Sequence, residues 1–290
     1  MTLGPHLVVG CGYLGRRVAD AWQAAGAPVH AVTRSAARAD EFRAAGLLPV
    51  VADVTHPETL EALASLPPLD TVLYAVGFDR KAGPSMREVY VAGLQRVLER
   101  LPETRRLIYI SSTGVYGDQD GDWVDEDSPC RPDRENGKIC LEAEALLRGS
   151  DRYRSRTTIL RLAGIYGPGR IPNREALLAG RPLNVPLGGY LNLIHVDDGV
   201  RVVQEAERAE AGKLYVVSDG APVPREEYYR ELARLLNAPE PSFAPPAVDD
   251  PAALRSSASK RIRSDRMRAE LKPVLVYPSY REGLAAIVSG

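Results

Sequence analysis

The chain has 290 residues, 44% of them hydrophobic and 26% charged, with a formal net charge of −1. This balance is typical of a soluble globular protein with one large domain or two intimate ones. It excludes several classes. A near-zero charge gives no global attraction to nucleic acid, no apolar run approaches the roughly 18 residues of a membrane span, and the N-terminus lacks the basic segment of a secretory signal.

Cysteine and histidine usage narrows the class further. The three cysteines, Cys11, Cys130 and Cys140, are odd in number and widely spaced, so they predict no disulfide framework and fit a reducing cytoplasm. The four histidines are scattered and no Cys-x-x-Cys occurs, so we expect no metal site. We therefore expect a cytoplasmic protein that acts on a small molecule and binds neither nucleic acid nor membrane.

The first half of the chain alternates short aliphatic runs with longer stretches of helical spacing. The predicted strands are His6–Gly10, Val29–Thr33, Leu48–Ala52, Thr71–Ala75 and Leu107–Ser111. The predicted helices are Leu14–Ala25, Ala36–Ala45, Pro57–Ala64 and Ser85–Arg100. Nearly all-apolar strands that alternate with helices are typical of a parallel sheet covered on both faces. The fold class predicted is α/β, a doubly wound parallel-sheet Rossmann domain.

The regular alternation of predicted strands and helices ends at about residue 150, and Pro and Gly interrupt the chain beyond it. Thr157–Leu162 and Leu214–Val217 still resemble buried strands, and the proline-rich stretch Asn237–Lys260 predicts a loop, linker or flap. Ser264 is predicted to cap a short helix, Asp265–Leu271, and Tyr280–Val288 to form the last one. We expect the Rossmann domain to take residues 1–160 and 192–220, and a smaller, interleaved α+β substrate lobe to take residues 161–191 and 221–290.

A glycine-rich turn follows the first strand. Gly10-Cys11-Gly12-Tyr13-Leu14-Gly15 is a Gly-x-Gly-x-x-Gly between an apolar strand and a helix, the context in which this pattern predicts a dinucleotide-binding turn. Gly10 permits the tight turn, Gly12 allows backbone N–H groups to approach a pyrophosphate, and Gly15 allows close helix packing. A plain strand–helix turn without ligand is the alternative. The end of the fourth strand, Ala75, Val76 and Gly77, is expected to line the same site.

The second strand indicates which dinucleotide binds. It ends in Thr33 and Arg34, with Arg38 one turn later, where NAD-binding folds usually carry an acidic residue for the ribose 2′-hydroxyl. A guanidinium suits a 2′-phosphate, so we predict NADP rather than NAD; a solvated surface arginine is the alternative. Asp53 is predicted to accept a hydrogen bond from the adenine amino group or to cap the turn that follows it.

Several further motifs together resemble the extended short-chain dehydrogenase/reductase superfamily, the NAD-dependent epimerase/dehydratase group. They are Ser111-Ser112-Thr113-Gly114-Val115-Tyr116-Gly117, Leu160-Arg161 with Tyr166-Gly167-Pro168-Gly169, Ile194-His195-Val196-Asp197-Asp198, and the tail from Tyr277 to Leu284. The resemblance spans nearly the whole chain. It implies NAD(P) on the Rossmann domain, a small substrate, often a nucleotide sugar, in the second lobe, and frequently a homodimer. It places Tyr166 and His195 near the substrate, although either could be a packing residue.

The resemblance also shows what is missing. The superfamily uses a Tyr-x-x-x-Lys pair, commonly followed by a stretch like Leu141-Glu142-Ala143-Glu144. Counting back places Asn136 at the tyrosine position and Cys140 at the lysine position. An amide cannot titrate near pH 7, and Cys140 is expected to be a small buried hydrophobe. Lys138 is expected to face solvent.

Other residues are candidates for the missing chemistry. Ser112 occupies the catalytic Ser/Thr position of the resembled family, Thr113 is its neighbour, and Tyr116 is a candidate proton donor. Two functions stay open: an NADP-dependent oxidoreductase or epimerase-like enzyme for a small hydroxyl or carbonyl compound, and a non-catalytic NADP(H)-binding sensor or scaffold.

Two charged segments could border the substrate. The run Lys260-Arg261-Ile262-Arg263 is either a solvated face or brings Arg261 or Arg263 to a substrate phosphate or carboxylate. Nucleic-acid binding is not favoured, because no interleaved aromatic residues accompany the run. The acidic stretch Asp118–Asp127 is predicted to be a solvated loop.

Overall fold

A computed structural model describes residues 3–244 and 259–289. Two compact units divide the chain: the first is Met1–Gly114, Arg134–Arg161 and Val202–Tyr215, and the second is Val115–Asp133, Leu162–Arg201 and Val216–Gly290. Residues 115–133, 192–201 and 216–220 thus group with the second unit, whereas the sequence pattern assigns them to the Rossmann domain. Strand pairing explains the difference, because residues 123–124 pair with 261–262 and residues 193–195 pair with 164–166. No helix within the described ranges is long and apolar enough to cross a membrane.

A seven-stranded sheet confirms the predicted α/β fold. Its strands are β1 (His6–Val9), β2 (Val29–Thr33), β3 (Leu48–Val51), β4 (Leu69–Tyr74), β5 (Thr104–Ser112), β7 (Thr157–Leu162) and β12 (Leu214–Val217). The order is β12-β7-β5-β4-β1-β2-β3, and neighbours from β3 to β5 run parallel. Successive strands move outward in opposite directions from β1 and β4, so the topological switch point lies between them.

The helices of the first unit follow its strands. They are α1 (Tyr13–Ala24), α2 (Ala36–Ala44), α3 (Glu61–Ala64), α4 (Gly93–Arg100) and α5 (Glu135–Gly149). The predicted helix Pro57–Ala64 begins as a 3₁₀ turn over Pro57–Leu60, and the predicted helix Ser85–Arg100 contains a π-helical segment, Glu88–Ala92, before α4. In that segment the Gly93 N–H bonds to the Glu88 carbonyl, five residues back. A buried cluster that includes Leu7, Tyr74 and Leu94 forms the core of this unit.

The second unit combines short strand pairs with helices. Its strands are β6 (Trp123–Val124), β8 (Gly164–Tyr166), β9 (Leu183–Asn184), β10 (Tyr190–Leu191), β11 (Leu193–His195), β13 (Val223–Pro224), β14 (Phe243–Ala244) and β15 (Arg261–Ile262). They pair as β10-β13, β11-β8, β14-β9 and β15-β6. Its helices are α6 (Arg174–Leu178), α8 (Arg225–Leu235), α9 (Asp265–Glu270) and α10 (Tyr280–Ser289), and α7 (Val196–Arg208) belongs to both units. Its own core includes Tyr166, Tyr228 and Leu284.

Two of three local predictions are wrong, and the one for Asp53 is confirmed. Ser264 makes no side-chain cap on α9, because its hydroxyl donates to the Ser218 carbonyl 3.2 Å away. Asp53 caps the turn that follows it, as predicted, because its carboxylate accepts from the N–H and the hydroxyl of Thr55. The acidic stretch 118–127 is not merely a solvated loop, because it contains β6 and the buried Glu126, whose carboxylate accepts from the Val216 N–H at 2.8 Å.

The proline-rich stretch 237–260 is described in part. Its residues 243–244 form β14, which pairs with β9, so this portion is a strand rather than loop. Residues 245–258 lie outside the described residues.

Candidate functional site

The glycine turn lies between β1 and α1 and against the end of β4. Gly10 has φ +95°, and a β-carbon there would lie 2.4 Å from the carbonyl carbon of Ala75. A β-carbon on Gly15 would lie 2.3 Å from the Gly10 carbonyl oxygen. Both positions therefore require glycine, because a side chain would push the helix or the end of β4 away from the turn.

The other side of the turn is open. A β-carbon added at Gly12 or at Gly77, which follows β4, would meet no heavy atom of the described chain within 4 Å. Tyr13 and Leu14 begin α1, whose N-terminus has neither a side-chain cap nor an acidic residue among the described residues. A helix N-terminus attracts anions through its N–H groups and its dipole. The turn thus fits the pyrophosphate of a dinucleotide.

Two arginines follow β2, as the sequence indicates, but they differ in position. Arg38 reaches the glycine turn, where its Nη2 donates to the Cys11 carbonyl at 2.9 Å. Arg34 is 57% exposed, and its nearest carboxylate is Asp79 at 3.8 Å. Burial opposes ionisation of Asp53, but hydrogen bonds from Thr55, together with the charge of Arg34, hold the pKa of that carboxyl below its ordinary value. Asp53 is therefore an acceptor.

Helix α5 carries the two positions at which the sequence departs from the resembled family. Asn136 is exposed in its first turn, and Cys140 is buried one turn later. Burial raises the pKa of the Cys140 thiol to about 11, with a smaller contribution from Glu144. The thiol is therefore protonated at neutral pH and is no nucleophile. Lys138 is exposed, as its helical spacing from Asn136 suggests.

A buried ion pair fixes α5 to the sheet. Glu144 is fully buried, and its carboxylate accepts from Arg161 of β7 at 2.7 and 2.9 Å and from the Ser111 hydroxyl of β5 at 2.7 Å. Arg148 donates to the same carboxylate at 3.0 Å. Burial without such partners would cost several kcal/mol. The pair thus determines where Asn136 and Cys140 lie relative to the strand ends.

Two phenols, those of Tyr90 and Tyr109, lie near Cys140, and Tyr74 packs against Tyr109. Tyr74 and Tyr109 are buried and their rings stack at 5.8 Å, while Tyr90, on the π-helical segment, is only partly buried. Burial raises the pKa of all three phenols, and the proximity of Cys140 adds to the shift at Tyr90 and Tyr109. Sequence reasoning missed Tyr90; the only signal was an aromatic residue within the aliphatic run Val89–Val91.

The predicted catalytic residues occupy the end of β5 and the 3₁₀ turn Thr113–Tyr116 that follows it. Ser112 is partly buried, and its hydroxyl oxygen accepts from the Gly114 N–H at 3.0 Å. Thr113 is buried, and so is Tyr116, which belongs to the second unit. The Ser112 hydroxyl therefore keeps a proton to donate, while the Tyr116 phenol is enclosed by packing.

Within the second unit, the structure brings Tyr166 and His195 together. Both are 1% exposed; their ring centroids lie 5.2 Å apart, and the His195 ring lies 3.9 Å from that of Tyr277. The Tyr166 hydroxyl donates to the Ser279 carbonyl at 3.4 Å, and burial raises its pKa far above the ordinary value. This is a packed interior, and substrate binding by these two residues stays a prediction.

The basic run 260–263 is a solvated face only in part, since Arg263 is exposed. Lys260 and Ile262 are buried, and the Lys260 ammonium donates to the Gly117 carbonyl at 2.9 Å. Arg261 donates through Nε to the Gly121 carbonyl and lies 5.1 and 5.3 Å from the ring centroids of Trp123 and Tyr190. The rings fix this guanidinium in place, so it can present a defined cation. The described residues contain no group of three His, Cys, Asp or Glu side chains that could hold a metal ion.

Comparison with known proteins agrees with this geometry. Residues 6–218 match the Epimerase family, the NAD dependent epimerase/dehydratase family. Protein YeeZ of Escherichia coli K12 is 32% identical over 81% of this chain and 85% of its own. The 3-diazoavenalumate denitrifying reductase of a Streptomyces species is 28% identical over 96% and 98%. A Thermus thermophilus UDP-glucose 4-epimerase in complex with NAD shares the fold, with a TM-score of 0.81, 19% identity, and coverage of 99% and 98%.

Proposed function

Because the chain belongs to the NAD dependent epimerase/dehydratase family, we propose that it is an NADP-dependent oxidoreductase that reduces a carbonyl group of a small compound. The glycine turn is the observation that carries the proposal. Its glycines close one side against β4 and leave Gly12 open beside an uncapped helix N-terminus. A dinucleotide bound there supplies hydride chemistry.

The preference for NADP rests on Arg34 and Arg38. Arg38 lies beside the turn, and the exposed Arg34 follows the end of β2. Two guanidinium groups can neutralise a 2′-phosphate, and guanidinium geometry matches its oxygens. Asp53, also at a strand end, accepts hydrogen bonds and suits the adenine amino group.

The reducing direction is supported by a relative that covers nearly the whole chain, the Streptomyces protein named as a reductase. In this proposal Ser112 orients the substrate oxygen, because its hydroxyl still has a proton to donate. Within the second unit, Arg261 is the candidate for binding an anionic or aromatic group. The chain's Asn136 and Cys140 do not provide the phenol and ammonium of the family's usual pair.

The first experiment is titration calorimetry of nucleotide-stripped protein with NADPH and NADH. We expect tighter binding of NADPH, which weakens on Arg34→Asp and on Arg38→Ala while NADH binding changes little. Arg43→Ala is the matched control, because Arg43 lies on the same helix but pairs with Asp40 at the surface. Absence of binding by either nucleotide would overturn the proposal.

Turnover separates the enzyme from the alternative of a non-catalytic NADP(H) sensor. Protein with bound NADPH is mixed with a panel of aldehydes, quinones and sugar nucleotides, and the loss of NADPH absorbance is followed. Reduction of a carbonyl compound supports the oxidoreductase. NADPH binding without turnover across the panel would favour the sensor.

A further inference from the structure

The switch point of the sheet locates the reactive end of the dinucleotide. The glycine turn, Arg34 and Arg38 follow β1 and β2, and a dinucleotide bound there would extend across the switch point toward the carboxyl ends of β4 and β5. β4 continues into Gly77 and Phe78, and Gly77 faces open space with respect to the described chain. A proton donor for the reaction has to lie at this end of the sheet.

Tyr90 places a hydroxyl there. Its ring meets the ring of Phe78 edge to face, with the centroids 6.4 Å apart, so the phenol lies beside the chain that follows β4. The π-helical segment Glu88–Ala92 carries Tyr90, and such segments occur often at functional sites.

Exposure and neighbours distinguish Tyr90 from the two phenols nearest to it, Tyr74 and Tyr109. Tyr74 and Tyr109 are buried, whereas Tyr90 retains partial exposure. The short Cys140 side chain stands at the lysine position, and its neutral thiol brings no cation to the phenol. Burial accordingly raises the pKa of Tyr90 above its ordinary value. A phenol of this kind keeps its proton at neutral pH, which suits an acid and not a base.

We propose that the Tyr90 hydroxyl is the proton donor for carbonyl reduction, replacing the tyrosine that is absent at Asn136. The carbonyl carbon accepts a hydride from a reduced nicotinamide dinucleotide, and the π pair of the C=O bond moves onto oxygen. That oxygen takes the proton of Tyr90, and the phenolate is reprotonated by water. The products are the alcohol and the oxidised dinucleotide. This inference rests on the proposed function, which supplies the reductant.

The test uses the full chain labelled with ¹³C at the tyrosine ζ carbon. The Tyr90 resonance is assigned with Tyr90→Phe and the reference resonance with Tyr153→Phe, since the Tyr153 hydroxyl donates to the Leu98 carbonyl within the core. On addition of NADPH we expect the Tyr90 resonance to shift and the Tyr153 resonance to stay. In steady-state reduction of phenanthrenequinone, Tyr90→Phe should lower kcat by roughly 10²–10⁴-fold with NADPH affinity retained.

Tyr74→Phe is the matched control. Its hydroxyl has no hydrogen-bond partner among the described residues and lies buried beside the same cluster, so its loss should change neither kcat nor affinity. NADPH binding that leaves the Tyr90 resonance in place would overturn the proposal, as would a shifted resonance with unchanged turnover in Tyr90→Phe. Loss of turnover in Tyr116→Phe alone would assign the role to Tyr116. If NADPH does not bind, the proposed function itself fails.

Discussion

Removal of the Glu144 carboxylate should destabilise the protein more than removal of any surface acid on the same helix. Glu144 is 0% exposed and Arg161 is 2% exposed. The Arg161 guanidinium donates twice to this carboxylate, and the Ser111 hydroxyl donates once. In Glu144→Ala these donors lose their acceptor while the guanidinium stays enclosed between α5 and the sheet.

The expected magnitude follows from that burial. Leaving one member of a buried ion pair without its partner costs about 3–5 kcal/mol of unfolding free energy. At about 2–4 °C per kcal/mol for a chain of this size, the melting temperature should fall by roughly 6–20 °C. Glu142→Ala is the control, because Glu142 pairs with Arg87 at the surface, where solvent screens the pair. It should hardly change the melting temperature.

Thermal unfolding followed by circular dichroism measures both variants. The double variant Glu144→Met with Arg161→Met should recover much of the loss, because an apolar pair of similar volume leaves no charge buried. Equal, small changes for Glu144→Ala and Glu142→Ala would refute the reasoning, and so would a double variant less stable than Glu144→Ala.

Three further predictions concern separate parts of the chain. Gly10→Ala should abolish nucleotide binding in calorimetry, because its β-carbon would lie 2.4 Å from the backbone of Ala75. Gly26→Ala is the control and should retain binding. Gly26 has a similar φ of +91°, but a β-carbon there would meet no heavy atom of the described chain within 4 Å. Burial raises the pKa of the Asp219 carboxyl to about 7. The charges of Asp198 and Glu282 add to this shift, whereas the Ala221 N–H and the charge of Arg268 oppose it. The folded state therefore holds this proton more tightly than the unfolded state, and the free energy of unfolding should decline as the pH rises from about 4 through 7. Denaturant titrations at several pH values should show that Asp219→Asn removes this decline. An unchanged dependence of the unfolding free energy on pH in Asp219→Asn would contradict the assignment. Asp198→Ala should expose the tail to limited proteolysis near Val276 and Tyr277, because the buried carboxylate accepts from both N–H groups at 2.7 and 2.9 Å; a cleavage pattern like that of the parent protein would count against this role.

The predicted strands and the glycine turn could be found in the sequence because their causes are local. A buried parallel strand has to be apolar along its whole length, and Gly10 and Gly15 occupy positions where any side chain collides with backbone. An apolar run does not predict the start of β5, because the strand begins with the buried polar residues Thr104 and Arg106.

The site needed tertiary structure because its contacts join residues far apart in the chain. Both Arg34 and Arg38 follow the second strand in the sequence and are equal candidates there. Only the position of α2 in the structure brings Arg38 to the Cys11 carbonyl. The sequence alone could not exclude that the basic run is wholly solvated. In the structure β15 pairs with β6, and the Lys260 ammonium donates to the Gly117 carbonyl, 143 residues away in the chain.

Tyr90 shows the division most clearly. The sequence by itself determined that the usual tyrosine and lysine are absent, because Asn136 and Cys140 can be counted from the Leu141–Glu144 stretch. It could not indicate which phenol lies nearby. The π-helical segment carries Tyr90, whose ring packs edge to face on that of Phe78, and the Glu144–Arg161 pair fixes the helix that carries Cys140. Periodicity shows which residues are buried, but the neighbours of a side chain depend on how separate elements pack.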